Sequence, residues 1–134
     1  MNYIGSTRSN YFAVKDLDAF KEFLKQAGGD VELIKGEGAQ KGLVGFIVGR
    51  ASDSGCLPTT KGPDDEDCDF IGELAPHLAD GHVGVVIEIG SEGLRALNGN
   101  ATAFNNEGEI RQVDLADIYD LAKGLGAKVT RAEY

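Results

Sequence analysis

The sequence lacks any long apolar segment. No run in its 134 residues approaches the ~20 apolar residues that a transmembrane helix requires. Residues 1–8 contain no apolar stretch of signal-peptide length. We therefore expect a cytoplasmic protein that does not enter a membrane. In a reducing compartment the two cysteines, Cys56 and Cys68, are expected to be free thiols.

The sequence also lacks the motifs of several common enzyme classes. The glycines at 36 and 38 lie between two predicted strands and do not open a helix, which excludes a dinucleotide fingerprint. Lys61 is followed by Gly62 and Pro63, so there is no phosphate-binding Gly-Lys-Ser/Thr. No Gly-x-Ser-x-Gly elbow is present. We predict a protein that is not an enzyme, with no catalytic residue and no cofactor.

Zinc-ligating residues are few and badly spaced. The candidates are Cys56, Cys68, His77 and His82. Eleven residues separate the two cysteines, where a structural zinc site has two to four. The spacing therefore predicts no zinc site.

An acidic run offers a second kind of metal ligand. Asp65, Asp67 and Asp69 alternate as the first ligands of an EF-hand loop do. However, Phe70 occupies the position that requires glycine, and Pro76 occupies that of the bidentate glutamate. We predict no metal site of this type.

The balance of charge differs between the two parts of the chain. Residues 1–50 carry seven basic and six acidic side chains, whereas residues 51–134 carry six and sixteen, a net of −10. Such a field repels nucleic acids and membrane surfaces and attracts basic proteins. Direct nucleic-acid binding is disfavoured, because phosphate contacts need clustered Lys and Arg.

The first helix has the clearest local signals in the chain. Residues 10–15 precede it as a predicted first strand, and Asp16 has the residue type and position of an N-cap. An apolar stripe at helical spacing follows, and Gly28 with Gly29 ends the helix. The members of that stripe are Leu17, Phe20, Phe23, Leu24 and Ala27. Its phenylalanines are interpreted as core residues.

A strand at 83–89 is predicted to lie at the centre of the sheet. Four β-branched side chains alternate on one face, which we expect to be buried. They are Val83, Val85, Ile87 and Ile89. The next extended run, residues 94–105, places small residues on one face, which suggests a helix lying against it.

The last helix is predicted to begin after Asp114 as its N-cap. Its apolar spacing predicts a buried stripe along one side. The stripe consists of Leu115, Ile118, Ala122 and Leu125.

Residues 50–69 show no usable periodicity. They contain two prolines and two glycines, and the segment ends in five acids within six positions, 64–69. Loops of this length inside a domain are uncommon and are often functional. We expect residues 52–63 to be mobile, with Leu57 as the one side chain able to attach them to the core. A helix with Pro76 inside it follows, capped by Asp67 or Asp69 and either kinked or broken into two turns.

The predicted order of elements is β-α-β-β-α-β-β-β-α. This order predicts a single α+β domain over residues 1–134, with three helices and a mostly antiparallel sheet of five or six strands. The first six elements follow the βαββαβ order of a ferredoxin-like unit.

Three blocks of the sequence carry a resemblance to a known group of proteins. These blocks are Arg8-Ser9-Asn10-Tyr11-Phe12-Ala13-Val14-Lys15-Asp16, Asp69-Phe70-Ile71-Gly72-Glu73-Leu74 and Asp114-Leu115-Ala116-Asp117-Ile118-Tyr119. They resemble small acidic proteins of bacterial plasmids, phages and integrative elements. The resemblance implies a context of inhibitors of host defence, of the anti-CRISPR and antirestriction kind, and it implies no catalytic residue.

Charge and resemblance together predict a non-catalytic protein-binding module. Its partner would be a basic protein surface, such as that of a nucleic-acid-handling host complex, whose phosphate sites its carboxylates would occupy. The predicted partner-binding residues are Asp53, Asp64, Asp65, Glu66, Asp67, Asp69 and Glu73.

Two alternatives remain open. One is a metal-dependent binder or small enzyme that uses Asp65, Asp67 and Asp69 with His77 or His82. The other is an immunity protein against a basic toxin.

Overall fold

A six-stranded antiparallel sheet is the main feature of the fold, seen in a computed structural model that describes residues 4–28, 30–48, 55–91 and 97–132. A separate two-stranded hairpin and three helices accompany the sheet in the described residues. In chain order the elements are β1 (Ile4–Ser9), α1 (Leu17–Gln26), β2 (Val31–Lys35), β3 (Val44–Val48), β4 (Thr60–Lys61), β5 (Glu66–Asp67), α2 (Phe70–Leu74), β6 (Gly84–Ser91), β7 (Leu97–Phe104), β8 (Ile110–Asp114) and α3 (Asp117–Ala122).

The strands of the main sheet lie in the order β2-β3-β1-β6-β7-β8, with every neighbouring pair antiparallel. The predicted α+β class, the mostly antiparallel sheet and the three helices are confirmed. The hairpin β4–β5 is an additional element that interrupts the predicted βαββαβ series before α2. Within the described ranges, no helix has the length and apolar character needed to cross a membrane.

Most of the local signals around α1 are realised, although Leu17 of the predicted stripe is exposed and Gly29 lies outside the described residues. The Asp16 carboxylate accepts a hydrogen bond from the Ala19 N–H at 3.1 Å, as an N-cap does. Phe20 and Leu24 are buried, and Lys25 lies in the last turn, where it suits the helix dipole. The helix packs its apolar stripe against one face of the sheet, which we call the inner face.

The core lies between this inner face and the helices α1 and α2. Aromatic rings dominate it: Phe12 and Phe20 meet edge to face at 5.8 Å between centroids, and Phe46 and Phe70 at 5.2 Å. Phe104 and the buried aliphatic residues complete the cluster. The aliphatic members are Leu24, Ala27, Val44, Leu74, Ala75, Leu78 and Val86.

The first strand does not lie where the sequence predicted it. The regular strand is β1, before residue 10, whereas Phe12 and Val14 form only isolated bridges, to Val44 and Leu78. The strand that pairs with the chain changes near residue 10. β1 pairs with β6 along its whole length and with β3 only at Arg8, whereas Phe12 bridges to Val44 of β3. Phe12 is nevertheless fully buried, which explains why the segment has the apolar pattern of a strand.

Side chains replace the missing backbone pairing at this change of partner. The Ser9 hydroxyl accepts a hydrogen bond from the Phe46 N–H and donates one to the Asn10 carbonyl, both at 2.8 Å. The side-chain amide of Asn10 accepts a hydrogen bond from the Val85 N–H at 2.7 Å through its oxygen, and its nitrogen donates one to the Val83 carbonyl at 3.0 Å. The buried backbone groups therefore keep partners although the ladder is interrupted.

The sequence predicted the wrong face of β6 to be buried. Gly84 and Val86 face the core, whereas Val83, Ile87 and Ile89 lie on the opposite, outer face with about half of their surface exposed. The reason is Phe104, which pairs with Gly84 across β6 and β7. Phe104 is buried there, and a Cβ on Gly84 would overlap its ring. The bulk of Phe104 fills the core, so the small side of β6 faces inward.

The prediction of a buried stripe on the last helix was also wrong. Asp114 ends β8 and does not cap α3; its N–H donates to the Asp117 carboxylate at 2.8 Å. α3 has no buried residue, and Leu115 and Ile118 are each 57% exposed. The helix predicted to lie against the small residues of β7 is also missing among the described residues, because α1 and α2 pack on the inner face. Leu115 lies over Gly99 instead.

The segment around Pro76 takes the second of its two predicted forms. α2 begins at Phe70 and is capped by Asp69, whose carboxylate accepts a hydrogen bond from the Gly72 N–H at 3.2 Å. The helix ends at Leu74, and a 3₁₀ turn over Ala75–His77 follows, which accommodates the proline near its start.

Candidate functional site

The acidic segment forms an ordered hairpin. Thr60 pairs with Asp67 and Lys61 with Glu66, and the turn between them contains Asp65 at a positive φ of 51°. The sequence predicted no regular structure here, since two-residue strands leave no periodicity. Asp53, one of the predicted partner-binding residues, lies outside the described residues.

Backbone hydrogen bonds attach this hairpin to the end of α1. The Gly28 N–H donates to the Thr60 carbonyl at 2.6 Å, and the Gly62 N–H donates to the Gln26 carbonyl at 2.7 Å. A Cβ at Gly28 would overlap Thr60, so only glycine allows this approach. The hairpin is thereby held beside α1 by the glycine that was predicted only to end the helix.

Residues 55–58 are attached to the core just before the hairpin. The Thr7 hydroxyl donates to the Gly55 carbonyl at 2.6 Å, and the Leu57 N–H donates to the Glu88 carboxylate at 3.3 Å. Pro58 is buried, and Leu57 packs against the core as predicted. The mobility that we expect of residues 52–63 stays a prediction.

The predicted acidic residues divide into three groups. Asp64, Asp65, Glu66 and Asp67 are exposed on the hairpin. Asp69 is engaged as the N-cap of α2. Glu73, on α2, is half-buried and forms an ion pair with Lys61.

A groove of about 450 Å³ separates the hairpin from α1. Asp64 and Glu66 line it from the hairpin, Glu73 lines it from α2, and Glu22 lines it from α1. Asp65, Asp67 and Asp69 are not among its lining residues. The remaining walls come from the hairpin turn and one side of α1. They consist of Ala19, Phe23, Gln26, Lys61, Gly62 and Pro63.

Of the ten residues that line this groove, only Asp64, Glu66 and Glu73 were predicted. Two that were missed, Phe23 and Glu22, matter for its chemistry. Phe23 was interpreted as core, and it does pack on Phe70 at 5.2 Å between centroids, but it also lines the groove. Glu22 is exposed and accepts a hydrogen bond from Gln26 at 3.0 Å. The only sequence signal for these positions is their place beside the apolar stripe of α1, which does not show what packs there.

The charges in the groove are unbalanced. Four carboxylates line it against one cation, Lys61, whose ammonium is paired with Glu73. The hydrogen bond and charge of Glu73 raise the pKa of Lys61. The carboxylates of Glu22, Asp64 and Glu66 have no ion-pair partner among the described residues.

Cys68 lies behind this ion pair. Burial raises the pKa of the Cys68 thiol to about 11, and its hydrogen bond to the Glu73 carboxylate adds to the effect. The same hydrogen bond, followed by that from Lys61, lowers the pKa of Glu73. At neutral pH the thiol is therefore protonated, which makes it a weak nucleophile. Both cysteines are free of disulfides, as expected.

The histidines are occupied in packing and hydrogen bonding. His77 lies against the rings of Phe20 and Phe23, at 6.1 and 5.1 Å, and burial lowers its pKa. The His82 imidazole accepts a hydrogen bond from the Ala13 N–H at 3.2 Å. In the part of the chain that the structure describes, no group of three or more His, Cys, Asp or Glu side chains is arranged to hold a metal ion.

Comparisons with known proteins add no relative to this description. Neither a protein-family model, nor a curated protein, nor a solved structure matches the chain. The resemblance to proteins of mobile elements stays a prediction from the sequence, and the function must be argued from the groove itself.

Proposed function

We propose that the protein is a non-catalytic binding module that captures a Lys or Arg side chain of a basic partner protein in the groove between α1 and the β4–β5 hairpin. The observation that carries this proposal is that carboxylates without an ion-pair partner among the described residues lie beside an aromatic wall. Glu22, Asp64 and Glu66 supply the charge, and Phe23 supplies the ring.

The groove suits the two-part chemistry of a long basic side chain. Lys and Arg carry an apolar stem and a charged head, which prefer different surroundings. The stem would lie along Phe23 and Pro63, where a cation also gains from the face of an aromatic ring. The head would meet the carboxylates, and a guanidinium can bind one of them through two parallel hydrogen bonds.

Exposed acids outside the groove extend the same surface. Asp65 and Asp67 lie on the hairpin within a few residues of the groove, and all of residues 64–67 are exposed. Such a surface accelerates association with a basic protein in a salt-dependent way. The basic surfaces of proteins that handle nucleic acids fit this description. Occupation of their phosphate sites by carboxylates would inhibit them, the role implied by the resemblance to mobile-element proteins.

A peptide titration tests the groove directly. Amide resonances of the ¹⁵N-labelled protein would be followed while an arginine-rich peptide is added, with a glutamate-rich peptide of equal length as the negative probe. We expect shifts at residues 19–26 and 61–66. Shifts confined to other surfaces, or equal responses to both peptides, would contradict the proposal.

A triple neutralisation tests the carboxylates. The variant Glu22→Gln/Asp64→Asn/Glu66→Gln should bind the arginine-rich peptide about tenfold more weakly, since each exposed ion pair contributes roughly 0.2–1 kcal/mol. All three side chains are exposed, so the fold should be unaffected.

The matched control removes three exposed acids elsewhere, at Glu32, Glu37 and Glu107. It makes the same change in net charge. Equal weakening by both variants would show that only the overall charge matters and would refute a specific groove.

A capture experiment tests the class of partner. The immobilised protein would be exposed to a bacterial lysate, and bound proteins would be eluted by increasing salt or by added DNA or RNA. The proposal requires a partner that salt releases and that nucleic acid displaces. A partner insensitive to both would exclude mimicry of phosphates.

A further inference from the structure

Among the described residues, the outer face of the main sheet is largely apolar and no helix covers it. Antiparallel sheets commonly leave one face to water, but that face is then polar. Here Ile87 and Ile89 of β6, Leu97 of β7 and Val113 of β8 are 49–60% exposed on the same side. Both helices that pack on the sheet lie on the other side, in the core.

The C-terminal arm, residues 115–125, is a second bare apolar surface. Ile118, Leu121 and Leu125 follow helical spacing along α3 and the turn after it, and none is buried. Leu121 is 72% exposed and Leu125 is 94% exposed. The arm remains next to β8 through Leu115, which lies over Gly99, yet its stripe does not cover the sheet of its own chain.

We infer that the protein forms a symmetric dimer in which the arm of each copy covers the outer sheet face of the other. A sheet face and a helix stripe are the two surfaces that combine in layered domains. A twofold axis places the arm of each copy on the outer face of the other, so the interface contains two identical arm-to-face contacts.

The area of these surfaces approaches what a stable interface needs. The bare aliphatic side chains of arm and face together expose roughly 600 Å² of apolar surface per chain. This area approaches the ~800 Å² that each partner contributes to a standard interface, before any polar rim is counted.

Charge favours arm-to-face pairing over arm-to-arm or face-to-face pairing. The arm carries Asp117, Asp120 and Lys123, of which Lys123 pairs with Asp120 at 3.6 Å, so its net charge is −1. The outer face carries Arg8 and Arg111, opposite Ile87 and Ala103 in the register. Neither arginine forms an ion pair with another described residue. Like charges would meet if two arms or two faces packed together, and opposite charges meet when an arm packs on a face.

The first test is the mass of the full chain in solution. Sedimentation equilibrium over a concentration series should give twice the mass of one chain. Leu121→Gln/Leu125→Gln, which keeps helix propensity, should weaken dimerisation at least about 100-fold, since two leucines are lost from each copy. Leu17→Gln on α1, an exposed leucine away from both surfaces, is the control and should change nothing.

A mixing experiment separates the possible arrangements. Ile87→Thr/Ile89→Thr impairs the face while retaining β-branched side chains. This variant and the arm variant should each be monomeric alone, and circular dichroism should show that both are folded. Mixed together they should associate weakly, because one intact arm then meets one intact face.

Three results would overturn the inference. The first is a monomeric wild type at about 100 µM. The second is a dimer that survives both variants. The third is a mixture that stays monomeric although the wild type dimerises, which would indicate contact between two arms or between two faces.

Discussion

Replacing Ser9 by alanine should destabilise the protein more than its size suggests. Ser9 is 1% exposed, and its hydroxyl is the hydrogen-bond acceptor for the Phe46 N–H at 2.8 Å. Phe46 is fully buried, so its N–H has no access to water when the hydroxyl is removed. Leaving a buried donor unsatisfied costs about 1–3 kcal/mol. The hydrogen bond from Ser9 to the Asn10 carbonyl is lost as well.

We therefore expect Ser9→Ala to lower the free energy of unfolding by about 2–3 kcal/mol. For a chain of this length, that corresponds to a fall of roughly 6–12 °C in the melting temperature. Urea denaturation would measure the free energy, with an unchanged m-value as the sign that the unfolding reaction is the same. Hydrogen exchange at the Phe46 amide should accelerate beyond the loss of global stability.

Ser6→Ala is the matched control. Ser6 lies on the same strand but is exposed on the other face, so its replacement should change stability by less than about 0.5 kcal/mol. Equal effects of the two substitutions, or unchanged exchange at Phe46, would refute the view that the Ser9 side chain completes the ladder between β1 and β3.

Two further predictions concern titrating groups near the groove. Glu73→Gln removes the carboxylate that adds to the raised pKa of Cys68, so alkylation of Cys68 at pH 9 should accelerate about threefold. Peptide mass spectrometry would follow the alkylation, and an unchanged rate would show that burial alone protects the thiol. Burial lowers the pKa of His77 in the folded state below its ordinary 6.5, so the unfolded chain binds more protons and stability is lost as the pH falls through that region. Urea denaturation across this pH range should show a flatter profile for His77→Gln, and an identical slope would exclude His77 as the cause.

The sequence predicted α1 correctly because its signals are local. Asp16, the apolar stripe and the closing glycines all lie within one segment, and each acts on the backbone of that segment. For α2 the sequence left Asp67 and Asp69 as alternative caps, and the structure selects Asp69. The length of the acidic run, and its exposure on the surface, could likewise be predicted from the residues alone.

The groove could be predicted only in part. Asp64, Glu66 and Glu73 were identified from the charge pattern, but Glu22 and Phe23 join them only because the hairpin docks on the end of α1. That docking depends on backbone contacts between residues distant in sequence. Neither the hairpin nor its partner has a periodic pattern that would reveal the contact.

The amino-acid pattern by itself determined that residues 83–89 lie in a strand, which the structure extends to Ser91, that three helices accompany an antiparallel sheet, and that Asp16 caps α1. Only the tertiary structure decided which face of β6 is buried, because alternation defines two faces but does not rank them. Phe104 fills the space above Gly84, so the core takes the small side of the strand and leaves Ile87 and Ile89 outside. The prediction for α3 failed for a related reason. Apolar spacing indicates which side of a helix should be covered, but not which surface covers it, and no residue of α3 is buried in its own chain.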